Sequence, residues 1–223
     1  MQLPSAVEFD WPLRGLEEAE TGFTQNRDGR IVLEVHHPIV PGVTAEMVEW
    51  WFGVYAHLKV QVDGEVFAAF NLWHPRDHKY LRRADAEWSG PLKSGDRVSI
   101  SEVYGSQQEY SNKETVQIVR LDRQGFGLRA IRLGLTVADL SYSFDDTPEG
   151  LKVSTRLCVG VANGWTKTLI NQVFVPLLFD EKKTESWMLH NVEEVGNWVN
   201  FLPALFGRRA QGDLIAWDGD TQT

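Results

Sequence analysis

Polar and apolar residues alternate through much of the first two thirds of the chain and change to three- and four-residue spacing near its end. The run from Arg30 to His36 is rich in β-branched residues and predicts a strand, broken by Pro38 and Pro41-Gly42. Thr44 is placed to cap a short amphipathic helix from Met47 to Tyr55, which turns Trp50 or Trp51 onto the core. From Trp73 to Arg83 the alternation gives way to a polar, His-containing stretch around Pro75, which predicts a loop of the kind that often carries sites. Turn signals at Gly90-Pro91 and Ser94-Gly95-Asp96 precede a strand from Arg97 to Tyr104, whose alternation sets Val98, Ile100, Glu102 and Tyr104 on one face. Glu102 therefore belongs to the apolar side of its strand.

Further strand pattern occupies Glu114 to Leu121, Gly127 to Val137 and Asp139 to Phe144, with Gly125-Phe126-Gly127 read as a hairpin turn. Leu140, Tyr142 and Phe144 share a face, and a turn at Asp145–Gly150 returns the chain along Leu151 to Val161. From Thr166 to about Phe206 the spacing is helical, with Pro176 and Asp180-Glu181-Lys182-Lys183 as interruptions. Within it Trp187, His190, Glu194, Trp198 and Phe201 form one stripe, and Pro203 ends or kinks the helix. Strands first and a long helix last predict an α+β fold, a curved antiparallel sheet closing around the C-terminal helix. One domain is expected, with residues 1–29 as an extension, 30–207 as the core and 208–223 as a tail.

Composition changes this picture in three ways. Nine Trp, eleven Phe and five Tyr make an aromatic interior suited to lining a ligand cavity. An excess of 31 acidic over 22 basic residues, net −9, argues against nucleic-acid or anionic-membrane partners, which want a basic face. The start Met1-Gln2-Leu3-Pro4 has no signal pattern, no apolar run nears the roughly 20 residues of a membrane span, and the single Cys158 reads as a small core residue; a cytoplasmic location is expected. His36 and His37 read as a polar strand end, and His57 as a complement to a helix dipole.

The chemistry gathers at a few positions. Residues four apart on a helix lie about 40° apart around its axis and one turn apart along it, so His190 and Glu194 project side by side and can share a metal ion or form a surface ion pair. Set in an aromatic stripe, an unpaired His and Glu would be costly to bury. Glu102 poses the same problem, answered by a cation, by a salt bridge to Arg129 or Arg156, or by a wet strand edge. In Trp73-His74-Pro75-Arg76-Asp77-His78 the two His stand around a proline, so at most one need be a ligand, and Asp77 is placed to accept the second ring N–H of a ligating His. A plain solvent-exposed loop is the alternative.

The set formed by that stretch, by Ser101-Glu102-Val103-Tyr104, by the hairpin from Tyr142-Ser143-Phe144 to Gly150-Leu151, and by His190-Asn191-Val192-Glu193-Glu194 through Phe201-Leu202-Pro203 resembles the diacetylphloroglucinol hydrolase family over roughly Glu46 to Leu205. The resemblance implies a Bet v 1-like helix-grip fold with an internal cavity. It implies zinc held by His78, Glu102, His190 and Glu194, with His74 as the substitute for His78, and hydrolysis of a carbon–carbon bond next to a carbonyl through metal-activated water. Where the family is expected to carry a further cavity His this chain has Tyr142, which can donate a hydrogen bond but is a poor acid or base at neutral pH. On this reading Tyr142, with Tyr104 or His74, binds the oxygens of a small aromatic or polyketide-like substrate such as an acylated polyphenol. Phe70, Trp187 and Trp198 form its apolar walls. A homodimer is one assembly open to such a protein. The competing functions are a non-catalytic carrier of hydrophobic ligands on the same fold, and a metal hydrolase acting on an ester or lactone.

Overall fold

The computed structural model describes residues 9–216 except 10, 63, 86–89, 165 and 166. Met1 to Pro4, Thr166 and the tail beyond 216 lie outside the described residues. An antiparallel sheet is assembled from β1 (Glu20–Gln25), β2 (Ile31–His36), β5 (His78–Arg83), β6 (Arg97–Tyr104), β7 (Tyr110–Asp122), β8 (Gly125–Arg132), β9 (Leu135–Thr147) and β10 (Gly150–Val159). Its order is β1-β2-β10-β9-β8-β7-β6-β5. A small second sheet joins β11 (Leu214–Ala216), β3 (Lys59–Val62) and β4 (Glu65–Ala68). The described residues also form four α-helices: α1 (Ala45–Val54), α2 (Ala69–Trp73), α3 (Lys167–Leu178) and α4 (Glu181–Gly207). The sheet grips α4, so the α+β, helix-grip arrangement expected from the pattern is what the chain adopts.

The segments expected to flank the core contribute to it. Residues 20–25 pair with β2 as an edge strand, and residues 214–216 run parallel to β3. Arg14 donates to the carbonyls of Pro38 and Ile39 at 3.0 and 2.8 Å, which fastens the N-terminal segment to the turn after β2.

Several local readings are corrected. The hairpin between β8 and β9 turns at Leu133-Gly134, both with positive φ, so the expected single strand from Gly127 to Val137 is two. The preceding hairpin turns at residues 123–124, and Gly125-Phe126-Gly127 belongs to β8. Pro176 lies inside α3 and Pro203 inside α4, where neither ends its helix. Around Pro203 the fully buried Phe201, Leu202 and Leu205 hold α4 in place by tertiary packing, which outweighs the roughly 3 kcal/mol that an interior proline costs. The interruption before α4 is real: the Asp180 side chain accepts from the Lys183 amide at 2.8 Å as an N-cap. Gly150 is required where β10 begins, since a Cβ there would sit 2.3 Å from the Val40 carbonyl oxygen.

The core is aromatic. Trp51, Phe52, Phe126 and Trp198 are fully buried or nearly so, and Phe52 stacks on Phe126 with ring centroids 3.8 Å apart. Trp51, not Trp50, points from α1 into this core; Trp50 packs at its margin against Phe206. Cys158 is only half-buried and so is not the core residue expected. His57 stands 3.4 Å from Asp213.

His36 and His37 part company at the end of β2. His36 is exposed beside Ser154, while His37 is buried, its Nε2 2.9 Å from the Thr155 hydroxyl. Burial outweighs the nearby Glu194 charge and lowers the His37 imidazole to about 4. An unfolded chain takes up that proton near 6.5. Stability is therefore full above that pH and is lost as the pH falls from about 6.5 toward about 4, by up to about 3 kcal/mol. Urea midpoints at pH 7 and pH 5 should differ in the wild type, and His37→Gln should lessen the difference; an unchanged difference would show that other groups carry it.

Candidate metal centre and cavity

His78 and Glu102 face each other directly across β5 and β6, so their side chains leave the same face of the sheet. A bulge between His78 and Tyr80 sets the angle at which the His78 ring leaves the strand. The expected polar loop is instead the end of α2, a short turn and β5, and it buries His74, Asp77 and His78, which are no more than 1% exposed. Its polar groups are buried because they satisfy one another. Asn197 on α4 donates to the carbonyls of Leu72 and Trp73, both at 2.9 Å, and Trp73 Nε1 donates to the Glu194 carbonyl at 2.9 Å. These bonds dock the end of α2 against the turn of α4 that bears His190 and Glu194.

Four side chains converge there. His78 Nε2 lies 3.6 Å from Glu194 Oε2 and 3.8 Å from Glu102 Oε1, and His190 Nε2 lies 3.6 Å from Glu194 Oε2. His78, Glu102 and His190 offer donor atoms all within 4.8 Å of one another. Arg129 pairs with Asp139 and Arg156 with Glu34, so neither arginine considered for Glu102 serves it.

The hydrogen bonds at Nδ1 turn both Nε2 atoms inward. His78 Nδ1 is 2.9 Å from the Phe70 carbonyl, an acceptor only, so Nδ1 carries the hydrogen and a neutral His78 presents a lone pair at Nε2. That Nε2 is buried without a hydrogen-bond partner. His190 Nδ1 donates to Asp77 Oδ2 at 2.9 Å, the bond anticipated for Asp77. Burial alone would lower His190, but this bond and the charges of Glu194, Glu102 and Asp77 raise it to about 9. Burial would raise Glu194, yet His78 when its Nε2 carries a proton, the His190 charge and Tyr142 hold it below its ordinary value. An inward lone pair among two carboxylates fits a divalent cation with nitrogen and oxygen donors.

A second group, His74, Asp77 and His190, has comparable spacing. It fits a cation less well because one is already present: Arg76 donates to Asp77 at 2.7 Å and to Glu193 at 2.8 Å, and Glu193 also meets His74 Nε2 at 3.0 Å. Arg76 and Glu193 escaped the sequence reading. Glu193 adjoins Glu194, and only the docking of α2 shows that it faces His74.

The cavity beside these groups is lined by Tyr55, Phe70, Tyr142, Trp187 and Leu140 among others, together with Glu102, His190 and Glu194. It offers about 40 Å³ to the centres of water molecules. Phe70 and Trp187 line it, and Phe70 also stacks on the His78 ring at 4.0 Å between centroids. Trp198 is not among the lining residues; it is fully buried behind them, 6.0 Å from the Trp73 ring. His74 is held by Glu193 and stacked on His190, and Tyr104 packs against His190 and Tyr110, so neither lines the cavity. Tyr142 reaches the cavity with its hydroxyl committed: it donates to Glu194 Oε1 at 2.6 Å and accepts from Asn191 at 3.0 Å. Tyr55 was missed, although its place four residues after Trp51 puts both on the buried side of α1.

No helix among the described residues is long and apolar enough to cross a membrane. Comparison with curated proteins gives no match. Among solved structures the chain is similar to a protein of unknown function from Staphylococcus aureus (12% identity, 82% of this chain and 97% of that one, TM-score 0.43). It is also similar to protein Ms6760 of Mycobacterium smegmatis (13%, 83% and 95%, 0.41) and to major latex-like protein 151 of Panax ginseng (12%, 67% and 93%, 0.41). The sequence model described as "DAPG hydrolase PhiG domain" matches residues 10–124, just over half of the chain, a span that holds His78 and Glu102 but ends before His190 and Glu194. The chain therefore belongs to the DAPG hydrolase family, a family of hydrolases.

Proposed function

We propose that this protein hydrolyses a carbon–carbon bond next to a carbonyl in an acylated polyphenol or related diketone, with a zinc ion held by His78, Glu102, His190 and Glu194. The observation that carries the metal reading is His78 Nε2, buried, unpartnered and turned toward two carboxylates. Family membership supports hydrolysis, and the aromatic cavity supports a flat, oxygen-bearing substrate. In the overall reaction water adds across the bond: hydroxide goes to the acyl carbon and a proton to the ring carbon, giving a carboxylic acid and the deacylated phenol. When bound, zinc supplies Lewis acidity, which polarises a carbonyl and acidifies water.

The protein's own groups supply position and dryness. Asp77 holds the proton on His190 Nδ1, and the Phe70 carbonyl holds the one on His78 Nδ1, so both Nε2 atoms stay turned toward the carboxylates. Tyr142 and Asn191 both donate to Glu194 Oε1, which leaves Oε2 as the oxygen facing the two imidazoles. Phe70, Trp73 and Trp187 exclude bulk water and give an aryl ring a surface to lie against. Trp187, Leu140 and Glu102 are the half-buried members of the lining, which marks the side from which a substrate arrives.

Elemental analysis of the purified protein should find about one zinc per chain, and acylphloroglucinol should release its carboxylic acid. Chelation should stop turnover and added zinc restore it; full turnover after metal removal would overturn the reading. Glu102→Gln should lose the metal and leave the fold intact by circular dichroism. Asp77→Asn, which keeps the shape but frees the His190 ring, should weaken zinc about 10- to 100-fold in competition with a chromophoric chelator. Unaltered zinc affinity in that variant would mean that Asp77 does not orient His190.

A further inference from the structure

Tyr55 follows the last turn of α1 and is 2% exposed. Its ring is boxed by Phe52, Phe70, Trp73 and Phe126, with centroids at 5.4, 6.1, 6.1 and 6.4 Å and interplanar angles between 63° and 90°. Edge-to-face contacts on several sides give the phenol little room to swing. Packing therefore accounts for the ring and leaves the hydroxyl unexplained. Tyr55 Oη is buried and has no hydrogen-bond partner, an arrangement that costs about 1–3 kcal/mol and that phenylalanine would avoid. Trp51 and Trp198 also bury unpartnered N–H groups, but neither lines the cavity. Tyr55 does, in one wall system with Glu102, His190 and Glu194.

The geometry points to Tyr55 as a substrate-binding residue whose hydroxyl donates to an oxygen of the ligand, a ring hydroxyl or carbonyl of an acylated polyphenol, and so selects oxygenated rings over plain ones. This inference rests on the hydrolase reading above and adds the group that recognises the ring. Burial and the Glu102 and Glu194 charges push the Tyr55 phenol up, so it stays protonated and able to donate. Tyr142 does not fill this role, because its hydroxyl is committed to Glu194 and Asn191. A site that buries an unpartnered donor discriminates against ligands that leave it unpaired.

The test is Tyr55→Phe, compared with wild type on the zinc-loaded protein by the KM for acetylphloroglucinol and the inhibition constant of acetophenone, which lacks ring hydroxyls. Urea denaturation and zinc content are measured for both proteins. The variant should bind acetylphloroglucinol about tenfold more weakly and acetophenone as before, with unchanged zinc and an equal or higher urea midpoint. A lowered midpoint would mean that the hydroxyl serves the fold, and an equal change for both probes would mean that it does not read the ring; either overturns the inference. If the wild type binds acetylphloroglucinol and the variant keeps the same preference, Tyr55 alone is discarded. If the wild type binds neither probe, the substrate class proposed above falls as well.

Discussion

Glu102 and Glu194 stand around an imidazole nitrogen inside a hydrophobic interior, and the rest of the molecule is arranged about that fact. Carboxylates near one another in a poorly solvated place raise each other's energy unless positive charge lies between them. Protons can partly supply it, as the upward shift of His190 shows. A divalent ion supplies it better. The conflict is affordable only because β5, β6, α2 and α4 are joined by bonds that do not depend on it, from the His78–Glu102 register to the docking of Asn197 and Trp73.

Around this centre the polar residues divide by task. Asp77, the Phe70 carbonyl, Tyr142 and Asn191 each fix one atom of a converging group and leave the opposite atom free. His74, Glu193 and Arg76 form a neighbouring network with its own cation, so their charges are settled locally. At the cavity wall the Tyr142 hydroxyl holds Glu194. The small cavity follows from the same aromatic density that keeps water out, and Tyr55 is the residue in its wall with a hydroxyl left to offer.

Much of the framework was legible because burial is periodic. Alternation in β6 put Glu102 on the inward face, and the stripe Trp187, His190, Glu194, Trp198 and Phe201 identified the buried side of α4. Thr44 marked the start of α1 by a chemistry local to one turn. Where a signal was local but not unique, the reading slipped: the β8–β9 turn took a leucine in the left-handed region, and two prolines were carried inside helices by packing that a proline's own neighbours do not reveal.

By itself the sequence determined which residues face inward on regular elements and which residue types were available to bind a cation. Tertiary structure alone decided that Trp73, His74, Asp77 and His78 are buried, since this stretch finds partners more than a hundred residues away on α4. It alone decided that Trp198 lies behind the cavity wall, that Tyr142 is committed to Glu194 and that the Tyr55 hydroxyl is free. The reason is physical: periodicity records the side of an element that meets the core, whereas hydrogen-bond partnership depends on which distant element arrives opposite it.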